Sequence, residues 1–158
     1  MSEVPTSPYI QRLRSFVGHE LLLIPAAAAL VEDDAGRLLL VRQSDTGQWA
    51  AVGGAVDPGE SPEQAAVREA AEETGLRITI DRLVGVVGGG EFEVTYPNGD
   101  RVAYISTVYS AHVELGEIQV DGDEVIEAGW FSLADIPALD LHPFTRALLF
   151  AVGYLTDA

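Results

Sequence analysis

The chain is predicted to fold in the α/β (α+β) class, as an α/β/α sandwich with helices on both faces of a sheet. Three observations carry this expectation. Apolar runs bounded by turn residues recur along the chain, beginning with Leu21–Glu32 and Arg37–Gln43. Two stretches, Pro62–Thr74 and Pro143–Leu155, read as helices, the second with apolar residues at helical spacing. Strands and helices also mix irregularly, which points to a layered architecture.

Taken in order, Ser7-Pro8 reads as an N-cap followed by proline at the first helical position. Ile10, Leu13 and Val17 then recur at helical spacing until Gly18, so residues 1–18 form a helical extension. Leu21–Glu32 and Arg37–Gln43 are strands joined by the turn Asp33-Asp34-Ala35-Gly36. Trp49–Val52 is a short strand leading into Gly53-Gly54. Ser61-Pro62-Glu63-Gln64 combines a capping serine, a first-turn proline and Gln at the third helical position, a capping box with all its parts. The helix it opens runs to Thr74, with Gly75 just past its end.

Leu76–Val87 is β-rich. Glu91–Thr95 and Arg101–Val113 flank a turn in which Asn98-Gly99 suits positive φ at both central positions. Glu127–Phe131 is a further strand. Ser132–Asp135 opens a short helix stopped by Pro137. Pro143–Leu155 is a terminal helix with Phe144, Ala147, Leu148, Ala151 and Leu155 on one stripe. No repeat, low-complexity tract or linker interrupts this order, so residues 1–158 read as one domain.

Charge narrows the function. The chain has 158 residues, 25 of them acidic and nine basic, for a net charge of −16. All nine basic residues are arginine. Such a field repels nucleic acid polymers and anionic membranes. It still permits anionic small substrates if divalent cations bridge the two. Cysteine is absent, which removes disulfides, thiolate nucleophiles and Cys-based metal sites. Met1–Pro5 is not a basic n-region, and the longest apolar run, Leu21–Val31, is broken by Pro25 and too short to span a bilayer. A cytoplasmic protein is expected.

The chemistry concentrates between Gly54 and Leu76. Glu69, Glu72 and Glu73 stand at i, i+3 and i+4 of the expected helix, so they crowd one face. They lie near its C-terminal end, where the macrodipole disfavours anions. That placement is costly unless a cation sits among them, and oxygen ligands at this density suit Mg²⁺, Mn²⁺ or Ca²⁺. Arg68 reaches Glu72 at i+4, and Glu60 folds back from the loop to meet it, so the two would orient the ligating carboxylates. Ala66, Val67, Ala70 and Ala71 are expected on the opposite face, packed against the sheet. Gly53-Gly54 permits close backbone approach and aims a carbonyl at the same cation.

Gly54, Glu60, Arg68, Glu69, Glu72, Glu73 and Gly75 stand at the spacing of a complete Nudix box, residues 54–76, without departure. Seven such identities coincide by chance on the order of 10⁻⁸ per window. The chain therefore resembles the Nudix hydrolase family, and the order of elements around the box is similar to that fold over nearly the whole chain. The resemblance implies an α/β/α sandwich around a mixed sheet. It implies Mg²⁺- or Mn²⁺-dependent hydrolysis of a diphosphate linkage in a nucleoside diphosphate joined to another group. Position for position, Glu69, Glu72, Glu73 and the Gly53 carbonyl would be metal ligands. Glu69 would also orient or deprotonate the attacking water, and Arg68 with Glu60 would be the structural pair. A homodimer is a further expectation of the family. The alternative is a Nudix-like sensor module that binds a nucleotide without cleaving it. The intact carboxylate set favours the enzyme.

Outside the box, Asp121-Gly122-Asp123-Glu124 is a second acidic cluster. Glu124 is the first candidate for a distal carboxylate in the site and Asp123 the second. Arg42 and Arg101 are candidate phosphate contacts. Trp49, Phe92, Tyr96 and Tyr104 are candidates to stack on a base, against the plainer reading of packing. The three histidines show no ligand spacing. Substrate markers do not resolve: the residue sixteen beyond Leu76 is Phe92, neither the proline that suggests ADP-ribose nor the tyrosine that suggests diadenosine polyphosphates.

Overall fold

The computed structural model describes residues 7–157. The part of the helical extension before Ser7 lies outside the described residues. In chain order the elements are α1 (Pro8–Val17), β1 (Leu22–Glu32), β2 (Leu38–Gln43), β3 (Trp49–Ala55), α2 (Pro62–Thr74), β4 (Arg77–Val87), β5 (Glu93–Thr95), β6 (Arg101–Leu115), β7 (Val125–Phe131) and α3 (Pro143–Ala151). Two 3₁₀ turns, Gly90–Phe92 and Ile136–Ala138, precede β5 and α3.

The strands form one seven-stranded sheet in the order β4-β6-β1-β3-β2-β7, with β5 on the end of β6. β1 and β6 run parallel in register from Leu22↔Val102 to Glu32↔His112, and the other pairs are antiparallel. The sheet is therefore mixed. Side chains of β1 alternate between its faces. Ala27, Ala29 and Val31 join Val52, Tyr109, Ala111 and the α2 residues Ala65, Ala66 and Ala70 on one side. Ala28 and Leu30 join Val108, Ile136, Leu148 and Leu149 of the α3 side on the other. The expected α/β/α layering holds.

β3 extends three residues past the expected Val52. Gly53, Gly54 and Ala55 keep pairing with Ala28, Ala27 and Ala26 of β1. This matters for function, because the paired glycines lie against α2. A Cβ on Gly53 would come within 2.5 Å of the Ala27 carbonyl oxygen.

Three local expectations are corrected. Asn98 does not have positive φ; only Gly99 does, at 94°. The Gly99 N–H donates to Tyr96 O and the Tyr96 N–H to Asp100 O, so Pro97-Asn98 is followed by a left-handed glycine. Proline at 97 makes this arrangement favourable, because its fixed φ suits the first central position of such a turn. Ser132–Asp135 is a turn rather than a helix, held by Asp135 and Ile136 N–H groups on Ser132 O, and Pro137 lies inside the following 3₁₀ turn. α3 stops at Ala151, where Val152 and Gly153 bend the chain and carry Leu155 back into the core.

Candidate active site

α2 is built as its capping box dictates. Ser61 Oγ accepts the Gln64 N–H at 3.1 Å, Gln64 Oε1 accepts the Ser61 N–H at 2.9 Å, and Gly75 closes the helix in the left-handed region with φ 74°. Its buried residues are Ala65, Ala66, Ala70, Glu73 and Thr74. This corrects the expected division of faces. Ala71 is exposed, while Glu73 follows Ala66 and Ala70 at i, i+4, i+7 and turns inward toward the sheet.

Glu73 is only 7% exposed and its Oε1 accepts the Gly53 N–H at 3.2 Å. Glu69 lies beside Gly54. Burial first, then the neighbouring Glu69 carboxylate, pushes the Glu73 carboxyl well above the usual range. Burial and the Glu72 charge push Glu69 up to about 7, against the pull of Arg68. Glu124, half-buried in the loop before β7, is raised by burial, by Asp121 and by Glu72, and its charge acts on Glu73. Glu124 is thus within electrostatic reach of Glu72 and Glu73. Asp123 is exposed, with its N–H on Asp121 Oδ1 at 3.0 Å.

Arg68 is the hub of the cluster. Its Nε and Nη2 donate to the two oxygens of Glu60 at 2.7 and 2.9 Å, a two-pronged pair. Nη1 donates to Glu69 Oε1 at 3.0 Å and Glu72 Oε2 at 3.2 Å, and Nη2 also to Ala55 O at 3.0 Å. Arg68 holds Glu60 below its ordinary range, and Glu60 in return raises the guanidinium further. The expected pairs with Glu60 and Glu72 are both present. The contacts to Glu69 and Ala55 are additional, and they tie the end of β3 to α2.

The carboxylates fit a divalent cation by their chemistry. Burial raises Glu69, Glu73 and Glu124, Glu69 and Glu124 raise Glu73 further, and the one arginine at the cluster pairs with Glu60, Glu69 and Glu72 rather than with Glu73 or Glu124. As the side chains stand, no group of three or more acidic or imidazole side chains among the described residues is set to hold a cation. Glu72 is turned onto Arg68, and a cation would have to draw it back. Two surface cavities, about 630 Å³ beside the end of β4 and about 580 Å³ beside the β1–β2 turn, lie elsewhere, and neither is lined by these carboxylates.

Other candidates separate clearly. Arg42 donates from Nε to Gly47 O at 2.9 Å and pairs with Glu127 at 3.5 Å, so it braces the β2–β3 loop. Arg101 has an exposed side chain at the start of β6. Trp49 packs edge-on against Phe131 at 4.8 Å, and Phe92 against Phe144 at 5.1 Å. Asp45 carries no motif in the sequence, and His142 shows no ligand spacing there, yet the fold brings the two within electrostatic reach of each other. Asp45, in the β2–β3 loop, lies within electrostatic reach of Tyr96, Glu124 and His142. His142 caps α3, its Nδ1 accepting the Phe144 N–H at 3.1 Å, and burial lowers its pKa. The His142-Pro143 step before an apolar helix was the available signal.

Comparisons with known proteins place the chain in a family. The chain is 36% identical over 137 residues to an ADP-ribose pyrophosphatase of Methanocaldococcus jannaschii, covering 84% of this chain and 77% of that protein. It is 29% identical over 134 residues to the nucleoside triphosphatase NudI of Escherichia fergusonii, covering 80% and 94%. Among solved structures, the MutT protein of Methanosarcina mazei Go1 superposes with a TM-score of 0.70 at 27% identity, covering 85% of this chain and 95% of that one. Among the described residues no helix is long and apolar enough to cross a membrane. The family model of the NUDIX domain matches residues 22–152, from the first strand through the terminal helix, and the chain belongs to the Nudix family.

Proposed function

We propose that this protein hydrolyses the diphosphate linkage of a nucleoside diphosphate joined to another group, with Mg²⁺ or Mn²⁺ as cofactor. The observation that carries the reading is the placement of Glu69 against Gly54 and of Glu73 on the Gly53 N–H, with Arg68 pairing Glu60, Glu69 and Glu72. Glu69, Glu72, Glu73 and the Gly53 carbonyl would hold the cation. When bound, it would neutralise the diphosphate oxygens and lower the pKa of a bound water.

The protein's own residues do the rest. Arg68 and Glu60 keep Glu69 oriented through the 2.7–3.0 Å contacts. Glu69, held in place by Arg68, is the first carboxylate to take a proton from the attacking water. Glu124 is a second carboxylate able to do so from across the cluster. No covalent nucleophile is required, in keeping with the absence of cysteine. The small dissolved substrate and the family likeness support a cytoplasmic enzyme, as a homodimer.

The test is a panel of nucleoside diphosphate derivatives and nucleoside triphosphates, each with Mg²⁺ and with Mn²⁺, scored for phosphate-bearing products. Metal-dependent turnover of at least one compound is expected. Binding without turnover across the panel would instead favour a nucleotide sensor.

A further inference from the structure

α1 precedes the residues matched by the family model, and none of its side chains is fully buried. The helix is tied to the domain through Arg14, whose side chain is 11% exposed. Nη1 donates to Gly18 O at 3.1 Å and Glu20 O at 2.6 Å, and Nη2 to Arg101 O at 2.7 Å. Nε is buried without a hydrogen-bond partner, 3.6 Å from Asp100 Oδ2. His19 adds a 2.8 Å contact from Nδ1 to Asp100 Oδ1. The contacts to Asp100 and Arg101 meet at the end of the β5–β6 turn, and those to Gly18 and Glu20 fix the connection from α1 to β1.

That hairpin carries Tyr96 before the turn and Tyr104 on β6. Their hydroxyls are 2.6 Å apart and part-buried, and the Arg14 charge reaches both. Tyr104 meets Phe144 edge-on at 5.7 Å and lies within electrostatic reach of Glu69, while Tyr96 lies within reach of Asp45. Tyr104 pairs with Ile24 of β1, two residues before Ala26, whose partner Ala55 anchors Arg68; it therefore stands at the same end of the sheet as the carboxylates but, like Val108, on the α3 face. Burial keeps both phenols protonated. With one hydroxyl donating to the other, the pair retains one O–H to give. A second anionic group would be repelled by Glu69 and Asp45. A neutral acceptor, a base carbonyl or a sugar hydroxyl, would not be, and the aromatic rings offer it apolar contact.

We propose that the Tyr96–Tyr104 hydroxyl pair contacts the neutral nucleoside part of the substrate, and that Arg14 of α1 is a positioning residue that fixes the hairpin bearing it. This rests on the pyrophosphohydrolase reading above. It gives the helix outside the family match a role in substrate selection.

The test uses the full chain with Mg²⁺ and whichever of ADP-ribose, UDP-glucose and GTP the wild type turns over fastest. Tyr96→Phe and Tyr104→Phe keep the rings. Each is expected to raise KM roughly 3–20-fold with kcat within about twofold, the loss of one hydrogen bond. The double variant is expected to cost little more than either single one, because the hydroxyls act as a unit. Arg14→Met, shown folded by its melting profile, is expected to raise KM similarly at unchanged kcat. If it does not fold, Arg14→Lys, which keeps the charge but loses the fork, is read the same way. Unchanged KM in both tyrosine variants of an active enzyme overturns this proposal alone. A wild type inactive on all three compounds removes the hydrolase reading and this proposal with it.

Discussion

Gly54 lies directly against the carboxylate of Glu69. A Cβ at position 54 would collide with Oε1 and stand 2.6 Å from Cδ. Neither Gly53 nor Gly54 has positive φ, so the need for glycine here is one of space. At 54 the obstacle is the far end of a side chain; at 53 it is the β1 backbone, with Ala27 O at 2.5 Å and Ala28 Cα at 3.0 Å. The two substitutions should therefore fail differently. Gly54→Ala is expected to displace Glu69, lowering kcat/KM at least about tenfold for a stability cost below about 1 kcal/mol. Gly53→Ala must move the strand and is expected to cost about 2 kcal/mol or more. Urea unfolding beside steady-state kinetics separates the two; a fully active Gly54→Ala would show that Glu69 does not need its place.

Glu73→Gln keeps an oxygen acceptor for the Gly53 N–H and removes a buried ionisable group. The variant is expected to melt at the same temperature as the metal-free wild type or higher. Metal-dependent turnover is expected to fall at least about 100-fold. Wild-type activity in this variant would end the assignment of Glu73 to the metal.

Arg68→Lys retains the charge but cannot engage both oxygens of Glu60 while reaching Glu69 and Ala55 O. A loss of about 1–2 kcal/mol is expected, with Arg68→Ala losing more, because the partly buried Glu60 and Glu69 carboxylates then lack their shared donor. Chemical denaturation checks the order. A lysine variant as stable as wild type would show that the fork geometry is unimportant.

The raised carboxyls fix a pH dependence. Glu69 titrates near 7 in the folded chain against an ordinary 4.5, and Glu73 shifts the same way. Folding thus favours their protonated forms, so their contribution is fully present below 4.5 and is lost as pH rises through about 7. Glu60, lowered by Arg68, works in the opposite sense and is lost only as pH falls below its usual range. Without divalent ions the melting temperature should fall between about pH 5 and about pH 8. Added Mg²⁺ binds deprotonated ligands, so it should raise the melting temperature more at the higher pH. Thermal melts with and without Mg²⁺, after chelation, test both; a metal effect independent of pH would place the cation on other groups.

Local grammar was legible because its causes are local. Ser61, Pro62, Gln64 and Gly75 determine the bounds of α2 through contacts within four residues, and the structure reproduces them. The spacing of Glu60, Arg68 and Glu72 likewise foretold their pairing. Reading turned less sure where two local solutions compete. Asn98-Gly99 suits one hairpin turn, but Pro97 suits another, and the pairing of Tyr96 with Asp100 selects the latter.

The sequence by itself determined which residues carry charge at helical spacing and where the box helix starts and stops. Tertiary structure decided what those charges do. The inward turn of Glu73 follows from how α2 lies on the sheet, and that depends on Gly53 and Gly54 pairing with β1. The parallel pairing of β1 with β6 brings the Tyr104 strand, some eighty residues further along, beside β1, whose other edge pairs with those glycines. Arg14 meets Arg101 O and Asp100 by the same long-range route. Such contacts depend on the packing of distant segments, and periodicity and spacing record only near neighbours.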